Sequence, residues 1–357
     1  MNPFRQFLSK PLPANRGFTL VELLVAIAII LIMLVTLAAI SMEITRAWKN
    51  TSGTVEAFRD ARVAFEAMTR TISHSTLNTY FDYVDANNKF RDPADPSAFV
   101  PVTYNRRSDL QFISGSSTKT LLNTIPTPIP YPITHAIFFQ APLGETNQTA
   151  YAGLSSTLNA CGFYVCYGVD PTVPAFLSAS TVPRLNRFRL MQWTQPTENL
   201  AIYDSQGATG KWYLDPLTHS ASTSVSQVAQ NVVALIILPK LSPADQAANP
   251  ATILAPAYNY DSQDNTKAVT YNQLPPVVDV TMVVIDEASA LKLGNTTAPP
   301  NLTQGSAFTD YTLYQSDLTN LQNNLSASSG NVAGNRIPLH FRVFHAEVAL
   351  AGAKWSK

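Results

Sequence analysis

The chain has 357 residues, of which 46% are apolar and 13% are charged, and its 24 basic residues balance its 24 acidic residues. This length allows one large domain or two modest ones, and the apolar content is sufficient for a folded core. Because the formal net charge is zero and charged residues are sparse, no global field attracts nucleic acid, and none is expected as a partner.

The N-terminus combines a basic leader with a long apolar run. Residues 1–17 carry three basic residues and no acidic one. Leu23 to Ile40 is a run of 18 residues in which Thr36 is the only polar one, near the lower limit for a helix that crosses a bilayer. The positive-inside rule then predicts a cytoplasmic N-terminus and an exported body.

Two ordinary interpretations of this segment leave features unexplained. A cleavable signal peptide has an apolar run of roughly 7–15 residues before a small-residue cleavage site. Here the run is longer and continues without a break into Ser41 and Glu43. A plain signal anchor accounts for the length but not for the carboxylate of Glu22, which would cost about 2.5–3.5 kcal/mol at the bilayer centre and less near an interface.

A third interpretation accounts for that carboxylate. The run GFTLVEL at 17–23, placed after a short basic leader, resembles the prepilin peptidase site of type IV pilins and type II secretion pseudopilins. The resemblance implies cleavage between Gly17 and Phe18 and N-methylation of Phe18. It also implies that Glu22 pairs with the N-terminal amine of the adjacent subunit in a filament. From the residues alone, Glu22 could equally sit in the first helical turn, where the helix dipole and headgroup water favour it.

Three segments are expected along the chain. These are a leader at 1–17, a long helix at 18–77 with its membrane-spanning part at about 20–41, and an extracytoplasmic body at 78–357. No proline interrupts the helix. Beyond Gly53, apolar residues at helical spacing predict the face on which the body packs: Val55, Phe58, Ala61, Phe65, Met68 and Ile72.

The body is expected to be mainly β, because its apolar runs are short and bounded by turn residues. The expected strands are 109–114, 135–140, 162–167, 188–193, 232–238, 277–285 and 339–350. Strands 232–238 and 277–285 are expected to pair over the helix stripe, with their polar connection, 240–274, as a surface excursion. A short helix is expected at 317–325. The predicted class is therefore α+β and pilin-like, a long N-terminal helix packed on a mainly antiparallel sheet.

The chain has two cysteines, Cys161 and Cys166, with Gly162 between them. In an oxidising compartment, two cysteines this close predict one disulfide that closes a small loop or hairpin. Two buried reduced thiols are the alternative.

No sequence motif indicates catalysis. The chain lacks HExxH, GxSxG, P-loop and GxGxxG patterns, and its five histidines are not spaced as a metal set. Asp279, Asp286 and Glu287 could join a calcium site, but strand alternation explains Asp279 as a solvent-facing residue. The protein is therefore expected not to be an enzyme, and to hold no metal and no cofactor.

Two narrower resemblances add to this picture. The size and the run PPVVDVTMVVID at 275–286 resemble large minor pseudopilins of the J type. Residues 58–66, 77–83, 138–144 and 187–192 resemble the prepilin-type proteins called Verru_Chthon cassette protein C. The second resemblance spans most of the chain and implies architecture more than function.

Two functional classes follow. The first is a minor pilin or pseudopilin in the bacterial inner membrane, with prepilin peptidase, other pilin subunits, an inner-membrane assembly platform and the lipid bilayer as partners. It would assemble into a type II secretion pseudopilus or a type IV pilus-like filament, near the tip because a bulky body would crowd a repeating shaft. The alternative is a membrane-anchored extracytoplasmic binding module that is exported through a prepilin signal.

Overall fold

The structure is a computed structural model that describes residues 19–91, 99–117, 121–122, 131–169, 184–203, 212–214, 224–302, 308–326 and 338–355. The chain divides into two compact units, Met1–Ser52 and Gly53–Lys357. Helix α1 (Leu20–Ser73) begins in the first unit and ends in the second.

Helix α1 ends at Ser73, four residues before the expected Leu77. The Ser75 hydroxyl donates to the carbonyl of Ile72 at 2.6 Å and so satisfies one of the last helical acceptors. The Thr76 N–H then bonds the carbonyl of Gln140, and the backbone pairs with the sheet at that point. Pairing with the sheet replaces the helical turn that the sequence pattern predicted.

The described part of the body contains eleven strands and three further α-helices. The strands are β1 (Tyr80–Val84), β2 (Thr103–Arg107), β3 (Ile113–Ser116), β4 (Pro132–Pro142), β5 (Leu158–Val169), β6 (Asn186–Gln195), β7 (Ser224–Gln230), β8 (Val232–Lys240), β9 (Tyr260–Asp261), β10 (Val277–Ile285) and β11 (Phe341–Ala349). The helices are α2 (Pro243–Ala248), α3 (Glu287–Lys292) and α4 (Tyr314–Ser326).

These strands form three antiparallel sheets. Strands β1 and β2 pair with each other, and the six-stranded sheet has the order β7-β6-β5-β4-β3-β9. The three-stranded sheet has the order β11-β10-β8. A long apolar N-terminal helix followed by antiparallel sheets confirms the predicted α+β class.

The expected strand pairing is also confirmed. Strand β10 pairs with β8 in antiparallel register, and both contribute to the same core as the C-terminal part of α1. Within that part, Ala61, Phe65, Met68 and Ile72 are buried, and the Phe65 ring lies 5.8 Å from the ring of Phe344 on β11. The stripe is shorter than predicted, because Val55 is 64% exposed.

Two other expectations need correction. The strand expected at 109–114 is β3, which begins at Ile113, because the Asn78 side chain accepts from the backbone N–H of Asp109 and holds that segment as a loop. The connection at 240–274 is not a surface excursion. It carries β9, the edge strand of the six-stranded sheet, and buries Leu254 and Tyr258 in the main core.

The six-stranded sheet is buried on both faces. Strand alternation sends Ile137 and Phe139 into the main core, while Phe138 enters a second core that contains Trp193 and Tyr213. The Phe138 ring stacks on Tyr213 with centroids 4.6 Å apart. Strands that are buried on both faces have nearly continuous apolar sequences, and this pattern predicted them.

A bulge in β4 joins the six-stranded sheet to the three-stranded sheet. Between Ile133 and Ala136 the register shifts, and Thr134 takes a positive φ of 55°. The Thr134 hydroxyl oxygen accepts from the N–H of Leu235 at 3.0 Å, and His135 Nδ1 accepts from the N–H of Ile237 at 3.1 Å. Both donors lie on β8, an edge strand of the three-stranded sheet. We call this set of contacts the sheet lock.

The sheet lock requires a neutral His135. Its Nδ1 accepts a hydrogen bond, so the ring proton is on Nε2, which donates to the carbonyl of Phe308 at 3.0 Å. The side chain is 2% exposed, and its ring lies 4.8 Å from that of Tyr258. Burial lowers the pKa of His135 to about 4.

The sheet lock predicts acid sensitivity. The pKa of His135 falls from 6.5 in the unfolded chain to about 4 in the folded one, so the unfolded chain binds the proton first. The stabilisation by neutral His135 is fully present above pH 6.5 and is lost as the pH falls toward 4. The loss amounts to about 3 kcal/mol of unfolding free energy. Urea unfolding of the full chain in mild detergent at several pH values measures this loss.

Two variants isolate this contribution from that of the carboxylates. His135→Gln keeps an acceptor and a donor but cannot titrate, so its unfolding free energy should fall less between pH 6.5 and 4 than that of the wild type. His74→Gln, at an exposed position, should keep the wild-type pH dependence. Equal pH dependence in wild type and His135→Gln would refute the sheet lock as the source.

Candidate functional site

The first turn of α1 contains a reciprocal capping arrangement. Glu22 Oε2 accepts from both the backbone N–H and the hydroxyl of Thr19, each at 2.9 Å. The Glu22 N–H in turn donates to the Thr19 hydroxyl oxygen at 3.3 Å. This is the capping box of the pattern Thr-x-x-Glu, which satisfies orphan N–H groups at a helix start. Sequence reasoning considered the first helical turn as one of two interpretations of Glu22 and did not identify Thr19 as its capping partner, although the spacing was readable.

The helix that follows is mostly apolar. Leu20–Thr45 is a 26-residue candidate membrane span that contains an 18-residue window with a mean hydropathy of 3.2, and none of that window is buried. Two hydroxyls within it are satisfied internally: Thr36 donates to the carbonyl of Met33 at 2.9 Å, and Thr45 to that of Ser41 at 2.8 Å. A helix whose backbone groups pair within the helix meets the main requirement for a hydrocarbon environment.

The expected cleavage and methylation positions, Gly17 and Phe18, lie outside the described residues. The described chain begins at Thr19, directly after them. Both members of the capping box lie on the C-terminal side of the expected cut. The box would therefore be present in the mature chain.

The predicted disulfide is wrong. Cys161 and Cys166 are both free and buried. They lie on the same strand, β5, and a spacing of five puts them on opposite faces, Cys161 in the main core and Cys166 in the second core. Five residues of strand span roughly 16 Å, whereas a disulfide needs Cα atoms within about 7 Å. The alternative of two buried thiols is the observed one.

The three acidic residues considered for calcium have separate partners. Asp279 is buried and forms an ion pair with Lys240, so the expectation that it faces solvent is wrong. Asp286 caps α3 by accepting from the N–H of Ser289, and Glu287 pairs with Arg187 at 3.0 Å. Within the described ranges, no group of three or more His, Cys, Asp or Glu residues could hold a metal ion.

The cap residue Asp286 also holds α1 to the body. Its Oδ2 accepts from the Thr54 hydroxyl at 2.8 Å, near the start of the second unit. At the other end of the helix, the carbonyl of Ser73 accepts from the N–H of Ala351. Sequence reasoning missed both contacts, because their partners are more than two hundred residues apart.

The two thiols should remain unreactive in the folded protein. Burial raises the pKa of each thiol to about 12, so almost no thiolate is present at neutral pH. We expect a maleimide to modify neither cysteine in the native protein from the cell envelope and both after denaturation without reductant. A two-hydrogen mass deficit that reductant removes would contradict the structure.

Comparison with known families identifies the N-terminal segment. Residues 12–38 match the model of the prokaryotic N-terminal methylation motif. No curated protein and no solved structure matches the chain.

The match to the methylation-motif model covers the basic end of the leader, Gly17, Phe18, the capping box and part of the apolar helix. It implies processing by prepilin peptidase and assembly with other pilins, and with the apolar helix it supports a prepilin-type, pilin-like protein anchored by a single membrane-spanning helix.

Proposed function

We propose that the protein is a minor pilin or pseudopilin. Prepilin peptidase removes residues 1–17 by cutting between Gly17 and Phe18, and Phe18 is then N-methylated. The helix is inserted in the bacterial inner membrane with its N-terminus in the cytoplasm, and the body from residue 78 onward is exported. The observation that carries the proposal is an uncovered apolar helix whose first turns match the methylation motif.

Assembly follows from the nature of the helix surface. A filament of such subunits would cover the apolar side chains of Leu20–Thr45 with the helices of neighbouring subunits when they leave the lipid. The body of about 280 residues is large for a repeating shaft, which favours a position near the tip of a type II secretion pseudopilus or a type IV pilus-like filament. An inner-membrane platform would supply the assembly step.

The geometry of Glu22 fits an intersubunit contact. Oε2 accepts both hydrogen bonds from Thr19, so among the described contacts Oε1 accepts none. The amine of a neighbouring Phe18 could bind Oε1 without breaking the capping box. In a low-dielectric helix bundle, such a pair is stronger than in water.

A membrane-anchored binding module is the second candidate, and one observation favours it. The two-stranded sheet of β1 and β2 exposes aromatic side chains, with Phe81 67% exposed and the rings of Tyr83 and Tyr104 4.4 Å apart. Exposed aromatic clusters are typical of recognition surfaces. A module of this kind would use the helix as an anchor and would need no subunit contact at Glu22.

Substitutions at Glu22 and Thr19 separate capping from assembly. Glu22→Gln keeps a capping acceptor but removes the charge, so we expect membrane insertion and leader removal to persist while crosslinking to other prepilin-type subunits falls. Thr19→Val removes the cap hydroxyl and keeps the carboxylate, so crosslinking should persist. The measurement is crosslinking in membranes at matched expression, with Glu22→Leu as a second charge-removing variant.

Each other outcome has a defined meaning. Equal crosslinking in wild type, Glu22→Gln and Glu22→Leu would remove the assembly role and favour the binding module. Loss of leader removal in both Glu22 variants would show that the carboxylate serves the peptidase. Loss of crosslinking in Thr19→Val alone would assign the effect to the helix start.

A further inference from the structure

A single large apolar side chain interrupts the polar stretch that follows the apolar span. Between Ile44 and Val55 the sequence is TRAWKNTSGT, and Trp48 is its only large apolar residue. Trp48 lies on α1 three residues beyond the end of the span and is 75% exposed. Exposing an indole to water is unfavourable, so its surroundings need an explanation.

The position of Trp48 matches the thickness of a bilayer. Glu22 and Trp48 are both on α1, 26 positions apart, which is about 39 Å along a helix axis at 1.5 Å per residue. A bilayer measures roughly 40–45 Å when its headgroup regions are included, and its hydrocarbon core about 30 Å. When the capping box of Thr19 and Glu22 lies among the headgroups of one leaflet, Trp48 therefore reaches the headgroups of the other.

The chemistry of the side chains agrees with this placement. An indole has a broad apolar body and one N–H donor, and tryptophan is enriched at membrane interfaces for that reason. At the other end, the carboxylate of Glu22 avoids the cost it would have at the bilayer centre.

We propose that Trp48 is an interfacial anchor, with its indole among the phospholipid headgroups on the exported side of the membrane. Together with the capping box at the opposite face, it sets the depth of the helix in the bilayer. This inference rests on the proposed membrane insertion. It assigns a lipid-binding role to a residue outside the methylation motif, and it commits to phospholipid rather than to another subunit as the partner of the indole.

Depth-dependent fluorescence quenching tests the proposal. The mature full-length chain is reconstituted in vesicles of phosphatidylcholine and phosphatidylglycerol, with lipids brominated either next to the headgroup or near the end of the acyl chain. We expect the headgroup-proximal bromines to quench a component of the tryptophan emission more strongly than the deep ones. That component should be lost in Trp48→Phe.

The other three tryptophans provide the control. Trp193 and Trp212 are buried in the second core, and Trp355 is partly buried against the main core. Trp355→Phe, in the body, should keep the lipid-dependent quenching. The same quenching in wild type and Trp48→Phe, or stronger quenching by the deep bromines, would overturn the anchor.

Flotation of the vesicles separates this inference from the proposed function. A chain that does not float with the vesicles would contradict membrane insertion itself, and with it both proposals. A chain that floats with an unquenched Trp48 would contradict the anchor alone. Quenching that disappears when the protein-to-lipid ratio is raised would place another subunit, rather than lipid, against the indole, and would also refute the anchor.

Discussion

A 26-residue stretch of one helix exposes mostly apolar side chains, and water would solvate that surface only at a large free-energy cost. The cost disappears when lipid tails or other apolar helices cover the surface. Because the backbone and the hydroxyls of Thr36 and Thr45 are hydrogen bonded within the helix, neither environment leaves these groups unpaired. Membrane anchoring and assembly with other pilins are therefore two solutions to one constraint, and the methylation motif at residues 12–38 belongs to proteins that use both.

The second half of the same helix has the opposite property, because it is part of the core of the body. The Phe65 ring lies 5.8 Å from that of Phe344 on β11, Met68 is buried in the same core, and Thr54 bonds Asp286. The two sheets are in turn held together by Thr134 and His135, whose side chains bind backbone donors of β8. These contacts give the C-terminal part of the helix a fixed place in the β-rich body, independent of what covers the apolar part.

Sequence reasoning succeeded where one physical signal dominated. Strands buried on both faces, such as 232–238, appear as apolar runs, and the motif with its apolar helix is visible without a fold. It failed where tertiary contacts decide: β2, β7 and β9 are too polar or too short to give a pattern. The cysteine pair was misread because nearness in sequence suggested a loop, whereas both lie on the long strand β5. Glu22 was found, but its capping partner Thr19 was not, although the Thr-x-x-Glu spacing carried that signal.

The central claim is that a prepilin-type leader is removed at Gly17 and that the apolar helix remains on the mature protein. The most direct test is N-terminal mass spectrometry of the membrane-resident protein from cells that contain prepilin peptidase. The account predicts a chain that begins at N-methylated Phe18 and retains Leu20–Thr45. A membrane-resident chain that still carries residues 1–17, or one cut after the apolar helix, would contradict it.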